Sequence, residues 1–401
     1  MSQSIYVIDA VRTAIGKYAG TLSATRPDDM GAHVIKALIN RNPNIPFEET
    51  EEVILGAANQ AGEDNRNVAR MSALLSGLPT SVSGYTVNRL CASGLQAIAN
   101  AYMEINAGNG GLYIAGGVES MSRAPFVMAK SDTAFGRAPE IHDTTIGWRF
   151  TNPALSKLYH PFTMGETAEN IAERWGISRE QQDQFAYDSQ LKWKQAQDAG
   201  KFKEEIVAYE IPQKKGESIL FDTDEQARLS SIETLNNLKP AFKKDGSVTA
   251  GNSSSVNDGA SVLAIASESF VRAHGLKPKA RIVATAASGV EPAIMGIGPV
   301  EAVRKALKRA GLNIEDIGLF ELNEAFASQS IACIKELDID INKVNVNGGA
   351  IAIGHPLGCS GARISSTLIH EMQKRPDVKY GVATMCVGVG QGMAIVYENI
   401  L

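Results

Sequence analysis

"YTVNRLCASGLQA" (Tyr85–Ala97) and "VNVNGGAIAIGHPLGCSGAR" (Val344–Arg363) read alike: an extended apolar stretch, a polar turn, a Cys or Gly among small residues, then a helical pattern. An offset of 268 residues lays Cys91 on Cys359. The same offset brings "YIAGGVES" (Tyr113–Ser120) near "ATMCVGVG" (Ala383–Gly390), and "EVILGAANQ" (Glu52–Gln60) near "GLFELNEAF" (Gly318–Phe326). Matched order at one offset predicts two copies of a βα unit, about 120 residues each. The competing reading is that any two α/β units look alike at this level.

Outward from these stretches, short apolar runs bounded by Gly, Asn or Asp predict strands at Ile5–Ile8, Glu52–Leu55, Tyr85–Val87, Gly111–Ala115, Arg281–Thr285, Gly318–Glu321, Lys343–Val346, Tyr380–Met385 and Met393–Tyr397. Helical patterns fill the gaps at Asp28–Ile39, Ala92–Asn106, Val300–Arg309 and Gly361–Lys374. Alternating strand and helix predicts an α/β fold of mostly parallel sheets covered on both faces. Ser120–Gly246 differs in texture, with an amphipathic stretch Thr167–Ala196 and a Lys-rich piece Lys201–Lys215. It reads as an inserted, partly helical loop domain over the paired halves, of the kind that carries binding function. The expected division is 1–119 and 247–279 for the first half, 120–246 for the insert and 280–401 for the second half.

The 401 residues exceed one ordinary core of about 100–200 residues. A net charge of −5 with no basic block argues against nucleic acid as a partner. Cys91, Cys333, Cys359 and Cys386 form no C-x-x-C pair, so neither a metal cage nor a disulfide framework is expected. No apolar run approaches 18 residues, and the amino terminus enters a strand at once. A cytoplasmic protein with no membrane association is the default expectation.

Four residues carry candidate chemistry, and each has a plain alternative. Cys91 falls at a predicted helix start, where the dipole favours thiolate; taken alone, an inert buried thiol is the leading alternative. His355, between Gly354 and Pro356, sits in a rigid loop after a predicted strand, poised for proton transfer or merely bonded in a turn. Cys386 precedes Gly388, Gly390 and Gly392, whose bare N–H groups suit an oxyanion hole; a structural thiol is the alternative. Asn323 follows an apolar run, as a helix cap or as a catalytic amide. Neither a P-loop nor a dinucleotide fingerprint is present. Two thiols, an imidazole and an amide at the carboxyl ends of strands describe acyl transfer joined to carbon-acid chemistry.

"NRLCASGLQA", "GGVESMSRAP", "VTAGNSSSVNDGA", "ELNEAFA", "NVNGGAIAIGHPLGCSGAR" and "MCVGVGQGMA" together resemble the motif series of the thiolases, in order and over nearly the whole chain. The resemblance implies a five-layer αβαβα fold and no permanently bound cofactor, with coenzyme A as co-substrate. It implies Cys91 as acylated nucleophile, His355 as its base and Cys386 as second acid/base. Asn323 would hold a water, and the N–H groups of Cys91 and Gly388 an oxyanion. Ala250, Gly251 and Ser254 would meet the pantetheine arm, Met164 would lie in the coenzyme A site and Arg228 near the adenine. A homodimer or homotetramer is the expected assembly.

"FTMGETAEN" carries Thr163 before Met164, where many short-chain biosynthetic members have His; this speaks against acetoacetyl-only specificity. "ANQAGEDNRNVARM" (Ala58–Met71) and "AFGR…DTTIGWRF" (Ala134–Phe150) look like thiolases acting on 3-oxoadipyl-CoA, whose free carboxylate needs a cation. Arg66 and Arg149 are the candidates; a surface or subunit-contact salt bridge is the alternative for either. A general 3-oxoacyl-CoA or acetoacetyl-CoA thiolase is the competing enzyme. A condensing synthase of the same fold is disfavoured by Cys386, and a silent acyl binder by the presence of all four polar groups.

Overall fold

The computed structural model describes residues 3–213 and 216–401. Lys214 and Lys215, which end the Lys-rich piece, lie outside the described residues. The main sheet runs Ile317–Leu322, Tyr380–Val387, Gln391–Asn399, Ala280–Gly289, Ile5–Arg12, Asn257–Ser267, Leu112–Ser120, Glu52–Gly56 and Ser83–Val87. Its midpoint is a weak seam: Ile5–Val7 meets Ala280–Ile282 over three residue pairs. On either side of that seam the strands follow one plan, antiparallel next to the seam and parallel beyond. The expected duplication is therefore real, but the expectation of mostly parallel sheets is not met. Long return strands, Asn257–Ser267 and Gln391–Asn399, make the sheet mixed.

Asn257–Ser267 is the strand that sequence reading missed. Its polar lead-in "NSSSVNDG" reads as loop, yet all eleven residues are buried between Ile5–Arg12 and Leu112–Ser120. The strand expected at Lys343–Val346 shrinks to a bridge between Phe320 and Val344. Asn345 turns the chain at φ 45°, and its amide bonds both backbone groups of Leu322 at 2.9 and 2.8 Å, standing in for a ladder.

Between the two half-sheets lie the helices Ser93–Ala107 and Leu357–Met372, sharing one core with both sheet faces. Separate apolar clusters cover the outer faces, beneath Pro27–Arg41 on one side and beneath Gly298–Ala310 and Ala327–Leu337 on the other. The result is five layers, αβαβα. The two central helices touch backbone to backbone. A Cβ on Gly94 would lie 2.7 Å from the Ala362 nitrogen, and one on Gly361 2.3 Å from the Leu95 nitrogen.

The chain leaves this core after Ser120 and returns at Asn257, carrying two small hairpins and the helices Met164–Arg174 and Arg179–Asp198. Thr163–Glu166 and Ser178–Gln181 form reciprocal capping boxes that start these two helices. A fully buried guanidinium fastens the excursion: Arg12 pairs with Glu205 at 2.7 Å and Asp224 at 2.7 Å. Removing one carboxylate would strand a buried charge. Among the described residues no helix is long and apolar enough to cross a membrane.

Because backbone atoms cannot rotate aside, Gly361→Ala is expected to destabilise the fold by about 3 kcal/mol, the upper end for overpacking. Denaturant unfolding checks it; a loss below about 0.5 kcal/mol would contradict the close helix contact.

Candidate active site

Cys91 follows the edge strand Ser83–Val87 through a turn in which Leu90 takes φ 48°. The Ser93 hydroxyl donates to the Leu90 carbonyl at 2.6 Å and accepts from the Arg89 N–H at 2.8 Å, fixing that turn. The helix proper begins at Ser93, so Cys91 stands just before its N-cap, Ala92. The backbone N–H groups of Gly388 and of Cys91 itself favour the anionic form of the Cys91 sulfur. This is the pair expected for an oxyanion.

The helix start favours thiolate at Cys91, but it is not the dominant influence on that sulfur. Burial dominates and pushes the thiol up to about 11, against the two N–H groups that favour the anion. Cys386, next to last in the strand Tyr380–Val387, is pushed well above its usual range by burial, with Cys91 and Cys333 adding like charge. A thiolate on either of these two sulfurs, 295 positions apart, would thus disfavour one on the other, and both rest protonated.

His355 does not follow a strand directly, as expected; a single helical turn, Ala350–Ile353, intervenes. Its N–H donates to Asn257 Oδ1 at 2.9 Å. The Ser360 hydroxyl donates to the Pro356 carbonyl and therefore accepts from His355 Nδ1 at 2.6 Å. This network assigns the imidazole proton to Nδ1 and leaves the lone pair on Nε2. Nε2 is buried with no protein partner among the described residues. Burial, with Arg363 adding, lowers the imidazole to about 3, so it is neutral rather than near its own titration point.

Asn323 is not a helix cap. The strand ends at Leu322, the next helix starts at Ala327 with Phe326 as its N-cap, and Asn323 continues pairing through its N–H to the Thr384 carbonyl at 3.0 Å. Its Nδ2 lies 3.5 Å from His355 Nδ1, and its Oδ1 is buried with no protein partner among the described residues. Cys386 is coupled to Cys91, Asn323 adjoins His355, and the two groups approach where a Cβ on Gly94, three residues after Cys91, would lie 2.8 Å from the carbonyl oxygen of Gly358, three residues after His355.

An apolar wall of Ala168, Val248, Met295, Ala325 and Phe326 packs with Cys386, and Met164 lies against it. The Met164 sulfur is 3.6 Å from where a Cβ on Gly388 would be. Ser254 joins this wall through its N–H to the Ala325 carbonyl at 2.9 Å, and Ala250 and Gly251 lie in the turn just before it. Arg228 is exposed. Arg66 is exposed at φ 63°, and half-buried Arg149 adjoins Trp148. Trp148 lines a small cavity with Thr151, Leu155, Tyr159, His160 and Val389, next to Gly388. Sequence reading missed Ser360, Met295 and Phe326. Ser360 stood in the quoted His355 motif, but only the helix start at Leu357 brings its hydroxyl back to the ring.

A thiol titrating near about 11 leaves roughly one part in a thousand as thiolate at pH 8. Alkylation of Cys91 by iodoacetamide is therefore expected to climb with pH at near unit slope from pH 7 to 10. A plateau below pH 8 would reveal a preformed thiolate–imidazolium pair instead.

Comparison with known proteins agrees with this architecture. The family model for the thiolase N-terminal domain matches residues 5–269, and that for the thiolase C-terminal domain matches 276–399. The beta-ketoadipyl-CoA thiolase of Acinetobacter baylyi is 54% identical, with 98% of this chain and 99% of that protein covered. The 3-oxoadipyl-CoA/3-oxo-5,6-dehydrosuberyl-CoA thiolase of Escherichia coli K12 is 53% identical over 98% and 99%. The crystal structure of human mitochondrial 3-ketoacyl-CoA thiolase in complex with CoA superposes with a TM-score of 0.92 at 41% identity, covering 100% of this chain and 98% of that one. Both halves are matched end to end, and the chain belongs to the thiolase family.

Proposed function

We propose that this thiolase cleaves 3-oxoadipyl-CoA with coenzyme A to succinyl-CoA and acetyl-CoA. The reading rests above all on the coupled thiols Cys91 and Cys386, together with the partnerless, buried Nε2 of a neutral His355 among the described residues. Full-length relatives at 53–54% identity bear the substrate's name.

His355 Nε2 takes the Cys91 proton as the sulfur attacks C3, and the N–H groups of Cys91 and Gly388 hold the developing oxyanion. Collapse breaks C2–C3; the electron pair passes to the thioester enolate, whose oxygen is held by the protonated imidazole and an Asn323-bound water. Cys386 donates its proton to C2, releasing acetyl-CoA and leaving a succinyl group on Cys91. The Cys386 thiolate then deprotonates coenzyme A, whose sulfur lifts the succinyl group. The departing Cys91 recovers its proton from His355. A neutral imidazole and a protonated Cys386 are the starting states this sequence needs. Ala250, Gly251, Ser254 and Met164 receive the pantetheine arm, and Arg228 the adenine end.

Arg149 is the favoured partner for the distal carboxylate, through its neighbour Trp148 in the cavity beside Val389; Arg66 is the other candidate. Segments 1–119 and 247–279 form the first half, 120–246 the insert and 280–401 the second half. Exposed Phe126, Phe135 and Leu158 in the insert (73, 97 and 75% accessible) support a homodimer or homotetramer. A cytoplasmic location fits the same reading.

Thiolysis of 3-oxoadipyl-CoA, acetoacetyl-CoA and a long-chain 3-oxoacyl-CoA is expected to give the highest kcat/KM on the first. Parity with the long-chain substrate would discard the proposed specificity. Arg149→Ala should raise KM for 3-oxoadipyl-CoA about tenfold or more, as loss of a charge-assisted bond does, and leave acetoacetyl-CoA nearly unchanged. Equal losses on both substrates would remove the arginine from carboxylate recognition. Cys386→Ala should slow all three by roughly 10²–10⁴, the range for a lost general acid/base.

A further inference from the structure

We infer that Glu119 is a positioning residue that fixes His355 against Cys91 across the two halves of the fold. The inference rests on the proposed role of His355 as the base. Glu119 is next to last in the strand Leu112–Ser120, lies 1% exposed, and has no cation within ion-pair distance among the described residues. It accepts three backbone bonds instead. Its Oε2 takes the N–H of Gly358 at 2.7 Å and of Ala58 at 2.8 Å, and its Oε1 takes the N–H of Asn59 at 3.1 Å.

Those three donors belong to the two catalytic loops. Gly358 lies between His355 and Ser360, in the first turn of Leu357–Met372, where a carboxylate also meets the positive end of the helix. Ala58 leads to the nucleophile. Its carbonyl accepts from Asn88 Nδ2 at 2.9 Å, and Asn88 Oδ1 accepts from the N–H of Leu90 at 2.8 Å, one residue before Cys91. One carboxylate thus joins the Cys91 turn of the first half to the His355 loop of the second.

The loop rests directly on the first half's backbone. A Cβ on Gly117 would lie 2.0 Å from the Gly358 carbonyl oxygen, and one on Gly358 2.7 Å from the Ala57 Cα. With so little clearance, small changes at Glu119 pass to the loop rather than being absorbed. The sharing of Oε2 by two donors demands an acceptor-only group. Glutamine in its place presents an amide N–H to at least one of the three donors. Burial raises this carboxyl to about 7, opposed by those same N–H groups. A displacement near 1 Å between nucleophile and base costs about a hundredfold in rate.

Glu119→Gln is therefore expected to lower kcat for thiolysis about 10²-fold, with KM for coenzyme A within about threefold of wild type. The decisive readout is a double-mutant cycle with His355→Ala: once the imidazole is gone, Glu119→Gln should cost less than about threefold more. Asp9→Asn, which disturbs a buried ion network with Lys279 and Arg41 away from the site, controls for lost stability. The proposal is overturned if Glu119→Gln costs the same factor with and without His355. It is also overturned if its activity falls only with its melting temperature, as in the Asp9 variant. Should Glu119→Gln not fold, Glu119→Asp keeps the charge but cannot span both loops, and a wild-type kcat in that variant sinks the idea. If His355→Ala alone retains near wild-type thiolysis, the base assignment fails and takes this inference with it; a dead His355→Ala beside an active Glu119→Gln overturns the Glu119 proposal only.

Discussion

The two central helices meet backbone to backbone at Gly94 and Gly361, and the rest of the molecule is arranged around that contact. Ser93–Ala107 and Leu357–Met372 can cross backbone to backbone only because Gly94 and Gly361 face each other's helix. The crossing brings the residues just before each helix, Cys91 and His355, into one region. It also lets one apolar core serve both half-sheets, so the weak three-pair seam between them suffices. Packing here does what sequence adjacency does in simpler sites.

A dry interior then sets the protonation states. Burial holds both thiols protonated and His355 neutral, the opposite of an activated ion pair at rest. Charge is too costly to keep in such a place without a substrate. Reactivity must come from proton transfer along fixed lines as the substrate arrives, and fixed lines need rigid loops. The polar contacts around the site answer that need: Ser360 on the imidazole, Asn257 on its backbone, Ser93 inside the Cys91 turn.

Much of this was legible in the chain. The repeated strand–turn–helix stretches around Cys91 and Cys359 gave the duplication, because a shared fold keeps the order of apolar runs and turns even where side chains differ. Cys91, His355, Cys386 and Asn323 stood out because glycines and small residues crowd them, and such crowding marks places where backbone and ligand come close. Sheet direction was less visible. Asn257–Ser267 went unrecognised as a strand because its polar lead-in masks a segment buried on both faces, and burial on both faces is a property of neighbours.

Local pattern, then, determined the helices, most strands and the short list of reactive side chains, since hydrophobic period and turn chemistry act within a few residues. Tertiary structure alone decided which of those side chains share a site and in what charge state. The Cys91 thiol illustrates the division: its helix start favoured a thiolate, and the surrounding core, assembled from segments hundreds of residues apart, outweighed the dipole. Desolvation depends on everything packed around an atom, and no stretch of sequence carries that information by itself.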